Sequence, residues 1–249
     1  MDLHVFAVPG IPEVTRDADL AGLIGDAVGR EGRRVDGGDV FVVAQKAVSK
    51  AEGAIVRLDE VAPSPMAALW ASEHGNDARI VEVIFRESRR IVRMDRDILI
   101  TETHHGFVCA NAGVDASNVP PGFVTVLPRD PDASAERLRL ALSAAFGCPV
   151  AVIVSDTFGR PWREGLVEVA IGCAGMEPLL DLRGRADLTG RTLHHTVVAL
   201  ADEVAAASGL VMEKDSRVAA AIVRGVRYTP GRTGAATALV RKAEFDLFR

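Results

Sequence analysis

Asp115 and Asp156 are the two carboxylates whose neighbours best equip them for chemistry. Asp115 stands in Asn111-Ala-Gly-Val-Asp-Ala-Ser-Asn118, which gathers one carboxylate, two amides and a hydroxyl around Gly113. Asp156 follows the apolar run 152–154, which reads as a buried strand that stops at Asp156-Thr157 before Gly159. A carboxylate at the end of a buried strand must be paired, hydrogen-bonded or metal-bound, because burying an isolated charge is too costly. Asp156 and Thr157 side by side are hard oxygen ligands suited to Mg²⁺ or Mn²⁺. The competing reading is that Asp156 caps the next turn. For residues 111–118 it is an Asx-turn network that fixes a loop, although four polar side chains and a glycine exceed what a turn requires. Together the two segments read as one oxygen-rich, divalent-metal site.

Glu203 is the third acid. It lies with Asp202 in the run 197–207, whose other residues are all apolar, so the helix is expected to be buried all round. Its neighbours three and four residues away are Ala199, Leu200, Ala206 and Ala207. A glutamate in that setting needs a cation, either a metal or a buried arginine such as Arg160, Arg163 or Arg224. Lys46 and Lys50 in Gln45-Lys-Ala-Val-Ser-Lys50 are point charges of the kind that bind phosphate, or simply a solvated loop after a strand. Pro9-Gly-Ile-Pro12 is a stiff turn whose glycine leaves backbone amides open to an anion. No Gly-x-x-x-x-Gly-Lys-Ser/Thr, no Gly-x-Gly-x-x-Gly after a strand and no Gly-x-Ser-x-Gly occurs, which removes P-loop, Rossmann and nucleophile-elbow readings. His104-His105 and His194-His195 are expected on the surface, since zinc would want a third ligand at motif spacing.

The elements that must position these groups follow from pattern. Strands are expected over 5–8, 39–44, 54–58, 98–103, 106–110, 123–127, 150–154, 167–172 and 218–224, with 54–58 the neighbour of 39–44. Helices are expected over 20–28, 66–74 behind Ser64, 78–88 behind Asp77, 132–146 closed by Gly147, and 192–208 stopping at Gly209. Strands and helices mix without a regular βαβα beat, which favours α+β over a doubly wound sheet. No linker marks a boundary. The pattern allows a subdomain over 90–180 inserted into a module built from both chain ends, all of 1–249 acting as one unit.

A chain of 249 residues, 48% hydrophobic and 25% charged, is long and apolar enough for a full core, so disorder is not a serious reading. A net charge of −5 argues against a nucleic-acid backbone as main partner. Nine Phe, two Trp and one Tyr are too few for a stacking-based single-strand binder. No stretch has the apolar length of a membrane span and the start lacks a secretory pattern, which makes the cytoplasm the expected location. Cys109, Cys148 and Cys173 lie far apart with no Cys-x-x-Cys, and reduced buried thiols are expected.

These motifs resemble the coenzyme F-420-0:L-glutamate ligase family, the γ-glutamyl ligases of the deazaflavin coenzyme. The matching pieces are 8–12, 45–53, 111–118, Asp130-Pro-Asp-Ala-Ser134, Ser155-Asp-Thr-Phe-Gly-Arg-Pro-Trp-Arg163, Asp187-Leu-Thr-Gly-Arg191 and 201–205, in the family's order along nearly the whole chain. The resemblance implies a two-domain, mixed-sheet α+β subunit in an intertwined homodimer. It implies GTP-dependent amide formation between L-glutamate and coenzyme F-420-0, through an acyl phosphate, with further glutamate added γ-linked. It further implies Asp115 and Asp156 as ligands of one divalent ion and Thr157 and Glu203 of a second, Mg²⁺ or Mn²⁺, with K⁺ as an accessory. Gly10, Ile11, Pro12, Gln45, Lys46, Lys50, Asn118 and the stretch from Ala201 to Ser208 are the implied GTP contacts. Ala44 departs from the family, which often has a hydroxyl residue there, and the tail after Val226 follows it loosely.

Arg160, Arg163 and Arg191 are expected to grip phosphate and carboxylates, on charge alone. No side-chain nucleophile is evident and the scheme needs none. The rivals are a metal-dependent phosphohydrolase, in which the same carboxylates activate water, and a non-catalytic nucleotide sensor.

Overall fold

A computed structural model describes residues 2–213, 215–231 and 235–246. The chain opens with β1 (His4–Ala7), α1 (Leu20–Arg30), β2 (Val40–Ala44) and α2 (Gln45–Ala51). Then come β3 (Ile55–Arg57), α3 (Pro65–His74), α4 (Ala78–Glu87), β4 (Ser88–Asp95), β5 (Ile98–Thr103), β6 (Val108–Ala110) and β7 (Phe123–Thr125). The second half contains α5 (Pro131–Phe146), β8 (Ala151–Arg160), β9 (Arg163–Ala174), β10 (Leu180–Asp181), β11 (Val197–Val198), α6 (Leu200–Ser208) and β12 (Ala220–Arg224). Helices and mixed sheets make this an α+β protein.

Side chains cap most helix N-termini. Ser64, Asp77 and Asp130 accept the Ala67, Arg79 and Ala133 N–H groups, and Pro65 and Pro131 occupy first-turn positions that need no amide. Gly75 and Gly147 close α3 and α5 in the left-handed conformation, at φ 70° and 66°.

The core is a five-stranded sheet in the order β1-β12-β2-β8-β9, antiparallel except for the parallel pair β2–β8. Residues 4–7, 40–44, 151–174 and 220–224 therefore share one sheet. One face packs on α1, α2 and α5 through Phe41, Val43, Val152, Val154 and Ile24. The other packs on α6 through Val42, Ile153, Ala170, Ala201 and Val204. Residues 54–127 hold two smaller apolar clusters around α3, α4 and β3–β7, and a separate sheet β4-β5-β6.

Four expectations are corrected. β3 pairs with β7, not β2, because β2 already lies between β8 and β12. β8 does not stop at Asp156; cross-strand pairing with β9 carries it to Arg160, and β9 itself spans more than the apolar run 167–172. The last helix starts at Leu200 rather than 192, since β-branched Val197 and Val198 pair with β10 instead. β4 escaped the pattern because nearly all of it is exposed and its charges hide the alternation. All three cysteines are free, but only Cys109 and Cys173 are buried as expected, Cys148 being half-buried; burial pushes the Cys109 and Cys173 thiols up to about 12.

Candidate active site

The site is built where β2 passes directly into α2. Gln45 and Ser49, one helical turn apart and buried, both donate to the Val126 carbonyl at 3.1 and 2.7 Å, and the Gln45 amide also reaches the Ser49 hydroxyl at 2.6 Å. This clamp fixes α2 against the segment after β7. It also consumes the Gln45 side chain, expected at the nucleotide, inside the protein. Lys46 and Lys50, again one turn apart, are held in place. The ammonium of Lys46 sits 2.7 Å from Asp115 Oδ2 and bonds the Ser117 hydroxyl. The largely buried ammonium of Lys50 bonds the Asn118 carbonyl at 2.6 Å and pairs with Glu13, one residue beyond the Gly10–Pro12 turn. That turn is solvent-facing at Gly10 and Pro12, with Ile11 half-buried; Gly10 (φ 77°) has its carbonyl bound by Arg30 at 2.7 Å.

Asp115 arrives by an unusual route. Asn111, Ala112 and Gly113 all adopt positive φ (54°, 53° and 71°), a conformation that costs non-glycine residues about 1–2 kcal/mol each. A side chain on Gly113 would put its Cβ 2.7 Å from Leu127, so only glycine fits. Asn111 accepts the Leu99 N–H at 3.2 Å, and Asp115 then pairs with Thr125 through backbone bonds of 3.0 and 2.9 Å. Much of the polar motif thus builds the turn, and its product is the placement of Asp115, Ser117 and Asn118 over the two lysines.

Asp156 reaches the same place from β8. Val152, Val154 and Phe158 lie on the α1–α2–α5 face, while Ala151 and Ile153 lie on the α6 face. Strand alternation turns Asp156 to the first face and Ser155 and Thr157 to the second. Burial pushes the Asp156 carboxyl up to about 7, and like charge from Glu168 and Asp115 adds to it against the Thr157 N–H bond (2.8 Å) and Lys46. For Asp115, burial acts upward too, but hydrogen bonds from Lys46 and Ser117 outweigh it and hold the carboxyl below its usual range. The two distant segments therefore converge electrostatically, with Lys46 as their shared cation.

Thr157, adjacent in sequence, belongs to the opposite face. Its hydroxyl donates to Glu168 Oε1 at 2.5 Å, and the Ser155 hydroxyl donates to Glu168 Oε2 at 2.9 Å. Glu168 lies directly across from Thr157 in the β8–β9 register. Sequence reasoning missed it. The available signal was an acid inside the otherwise apolar run 166–172.

Helix α6 corrects the remaining expectations. It is not buried all round: Glu203 is exposed and its carboxylate makes no hydrogen bond or ion pair with any described residue. The arginine alternative fails as well, since Arg224 is engaged by Asp36 and Asp39 and Arg160 donates to the Glu164 carbonyl. Asp202 is the inward acid, accepting the Ala170 N–H at 2.9 Å with its carboxyl raised by burial. Ala201 packs in the core and the buried Ser208 hydroxyl donates to the Ala205 carbonyl at 2.6 Å. Arg163 and Arg191 are exposed, as are His104, His194 and His195, while His105 is half-buried against the Pro128 carbonyl at 3.0 Å.

Among the described residues, no three His, Cys, Asp or Glu side chains converge tightly enough to grip an ion as they stand. The donor set nevertheless suits a hard cation. Asp156 feels two carboxylates and one ammonium, its proton loss is impeded first by burial and then by those like charges, and a bound cation would offset both.

The family described as F420-0:Gamma-glutamyl ligase matches residues 10–225. The coenzyme F420:L-glutamate ligase of Methanothermobacter thermautotrophicus is 48% identical over 251 residues, covering 100% of both chains. That of Methanopyrus kandleri is 48% identical over 251 residues, covering 99% of this chain and 98% of its own. The one from Archaeoglobus fulgidus is 40% identical over 250 residues, covering 100% and 97%.

Proposed function

The chain belongs to the F420-0:gamma-glutamyl ligase family, and from that premise we propose that it joins L-glutamate to coenzyme F420-0 with GTP as the energy source, adding further glutamate through γ-linkages. A carboxylate is a poor acyl donor at neutral pH, so the coenzyme carboxylate first takes the GTP γ-phosphoryl group. The glutamate amine then attacks the acyl phosphate and phosphate leaves. Asp115 and Asp156 would hold one divalent ion, Mg²⁺ or Mn²⁺, and Thr157 and Glu203 a second. Bound there, the ions would neutralise the triphosphate and the charge developing during in-line transfer.

The observation that carries this reading is the Lys46–Asp115–Asp156 arrangement. Lys46 and Lys50 are held by carboxylate and carbonyl oxygens that a triphosphate can replace, since its oxygens offer the same acceptors with more charge. Were Lys46 to turn to a phosphate, Asp115 would be freed of its ammonium and could serve as a ligand beside Asp156. The exposed Gly10–Pro12 turn and Asn118 lie along the same wall, next to Glu13 and Lys50. Arg160, Arg163 and Arg191 are the reserve of positive charge for the substrate carboxylates. The reading includes a homodimer, an accessory K⁺ and a cytoplasmic setting; among the described residues no helix is long and apolar enough to cross a membrane.

Incubating the purified chain with GTP, Mn²⁺, glutamate and coenzyme F420-0 should yield products heavier by one or more glutamyl units, and chelation should abolish them. GTP turnover that needs neither glutamate nor the acceptor would point to the phosphohydrolase instead.

A further inference from the structure

Glu168 is the feature that neither the motifs nor the proposed ligand set accounts for. It is a half-buried carboxylate on β9 whose two oxygens are divided between two hydroxyls of the neighbouring strand, Thr157 at 2.5 Å and Ser155 at 2.9 Å. A hydroxyl has one proton. With that proton committed to Glu168, Thr157 has only lone pairs left to present elsewhere. It is thereby fixed as an oxygen donor, able to ligate a cation and unable to donate to an anion. The fold makes room for this arrangement. Gly209, just past α6, would place a Cβ 3.0 Å from Glu168 Cγ, so the absence of a side chain there lets Glu168 lie under the helix end.

We propose that Glu168 is a positioning residue of the ligase site: by accepting the Ser155 and Thr157 hydrogen bonds it leaves the Thr157 lone pairs free for the second divalent ion. The inference rests on the two-ion reading above and adds to it a residue and a direction of hydrogen bonding. Groups that orient a metal-binding side chain typically change metal affinity or activity by about 10–100-fold when removed. Glu168 would act through Thr157 alone, without touching ion or substrate.

The test is a double-mutant cycle of Glu168→Gln and Thr157→Val. It is read by Mn²⁺ binding to the purified chain with GDP, using electron paramagnetic resonance, and by the Mn²⁺ dependence of glutamylation. Thermal unfolding checks that each variant folds, and Ser155→Ala, which leaves the Thr157 bond in place, serves as a milder companion. The expected result is that Glu168→Gln and Thr157→Val each weaken one of two Mn²⁺ sites about tenfold. The double variant should be no weaker than the worse single one, and Ser155→Ala should stay within about twofold of wild type. Additive losses would overturn the proposal in favour of Glu168 as a direct ligand, and unchanged Mn²⁺ binding in Glu168→Gln would overturn it outright. If the wild-type chain bound no Mn²⁺ with GDP, the two-ion reading itself would fall. That outcome is distinct from a wild type that binds two ions and a Glu168→Gln variant that binds them equally well.

Discussion

The two faces of the β8–β9 hairpin handle negative charge in opposite ways. On the α2 face, Asp115 and Asp156 are balanced by a side-chain cation, the Lys46 ammonium at 2.7 Å from Asp115. On the α6 face, Glu168 is balanced by neutral hydroxyls of fixed direction. A lysine partner is exchangeable, since a phosphate competes for it and a metal can take its place. A pair of hydroxyl donors on one strand has no such alternative and serves orientation. On the proposed reading the first face is therefore the one whose state changes on binding, and the second sets geometry.

The largest expected effect tests the exchangeable face. Asp156→Asn keeps the shape and the Thr157 N–H acceptor but removes the charge that an ion needs. Glutamylation should fall by about a thousandfold, at the upper end of what one preorganised electrostatic group supplies, with an unfolding midpoint no lower than wild type. Retention of more than a tenth of the activity would deny this face its role. Lys46→Met comes next. It deprives both the phosphate and Asp115 of a cation, and kcat/KM for GTP should drop about a hundredfold. Because Asp115 is then unpaired, binding of Mn²⁺ alone should tighten rather than weaken. Parallel loss of both would mean that Lys46 merely stabilises the loop.

The sequence already singled out 111–118 and 156–157, because acids beside apolar runs need partners whatever the fold. It did not show how they are divided. Asp156 and Thr157 looked like one pair of ligands, and strand alternation sends them to opposite faces once β8 is seen to continue to Arg160. That continuation depends on β9, which pairs from Arg163 onward although its first residues are exposed. Glu168 was illegible for the same reason, since its meaning lies in a cross-strand register. Glu203 misled in the other direction. Alanines on every side suggested burial, yet small residues leave a glutamate room to reach solvent. The capped helices α3, α4 and α5 were readable because their signals are local. The pairing of β3 with β7 depends on residues more than sixty positions apart.

Titration sharpens the contrast in the metal-stripped protein. Asp156 keeps its proton in the fold up to about pH 7, but releases it near 3.8 once unfolded. Its contribution to stability is thus full below about pH 4 and is lost as the pH rises towards 7, a decline on the order of a few kcal/mol. Denaturant unfolding at pH 5 and pH 7.5, with chelator present, should show this fall. Asp156→Asn should flatten it, and Mn²⁺ should restore stability at the higher pH. A wild-type profile as flat as that of the variant would mean the carboxyl is already ionised at pH 5.

The smallest effect is expected from Gly209→Ala, which probes the orienting face without altering any polar group. Gly209 has φ −56° and ψ −23°, an ordinary right-handed helical conformation that alanine adopts freely. Alanine should even favour the end of α6 by up to about 1 kcal/mol. The cost is local: the added Cβ meets Glu168 Cγ at 3.0 Å and the Ala206 carbonyl at 3.2 Å, so Glu168 must move by a few tenths of an ångström. Since the Thr157 bond is the shorter of its two, it has the least tolerance for that shift. The expected outcome is an unfolding midpoint equal to or above wild type, with roughly a threefold rise in the Mn²⁺ concentration needed for half-maximal glutamylation, below the about tenfold range for outright loss of an orienting group. KM for GTP, which the proposal ties mainly to Lys46 and Lys50 on the other face, should change less than the Mn²⁺ requirement. A stabilised variant with an unaltered Mn²⁺ requirement would show that the hydroxyl clamp is fold and nothing more, and that the two faces do not divide the work.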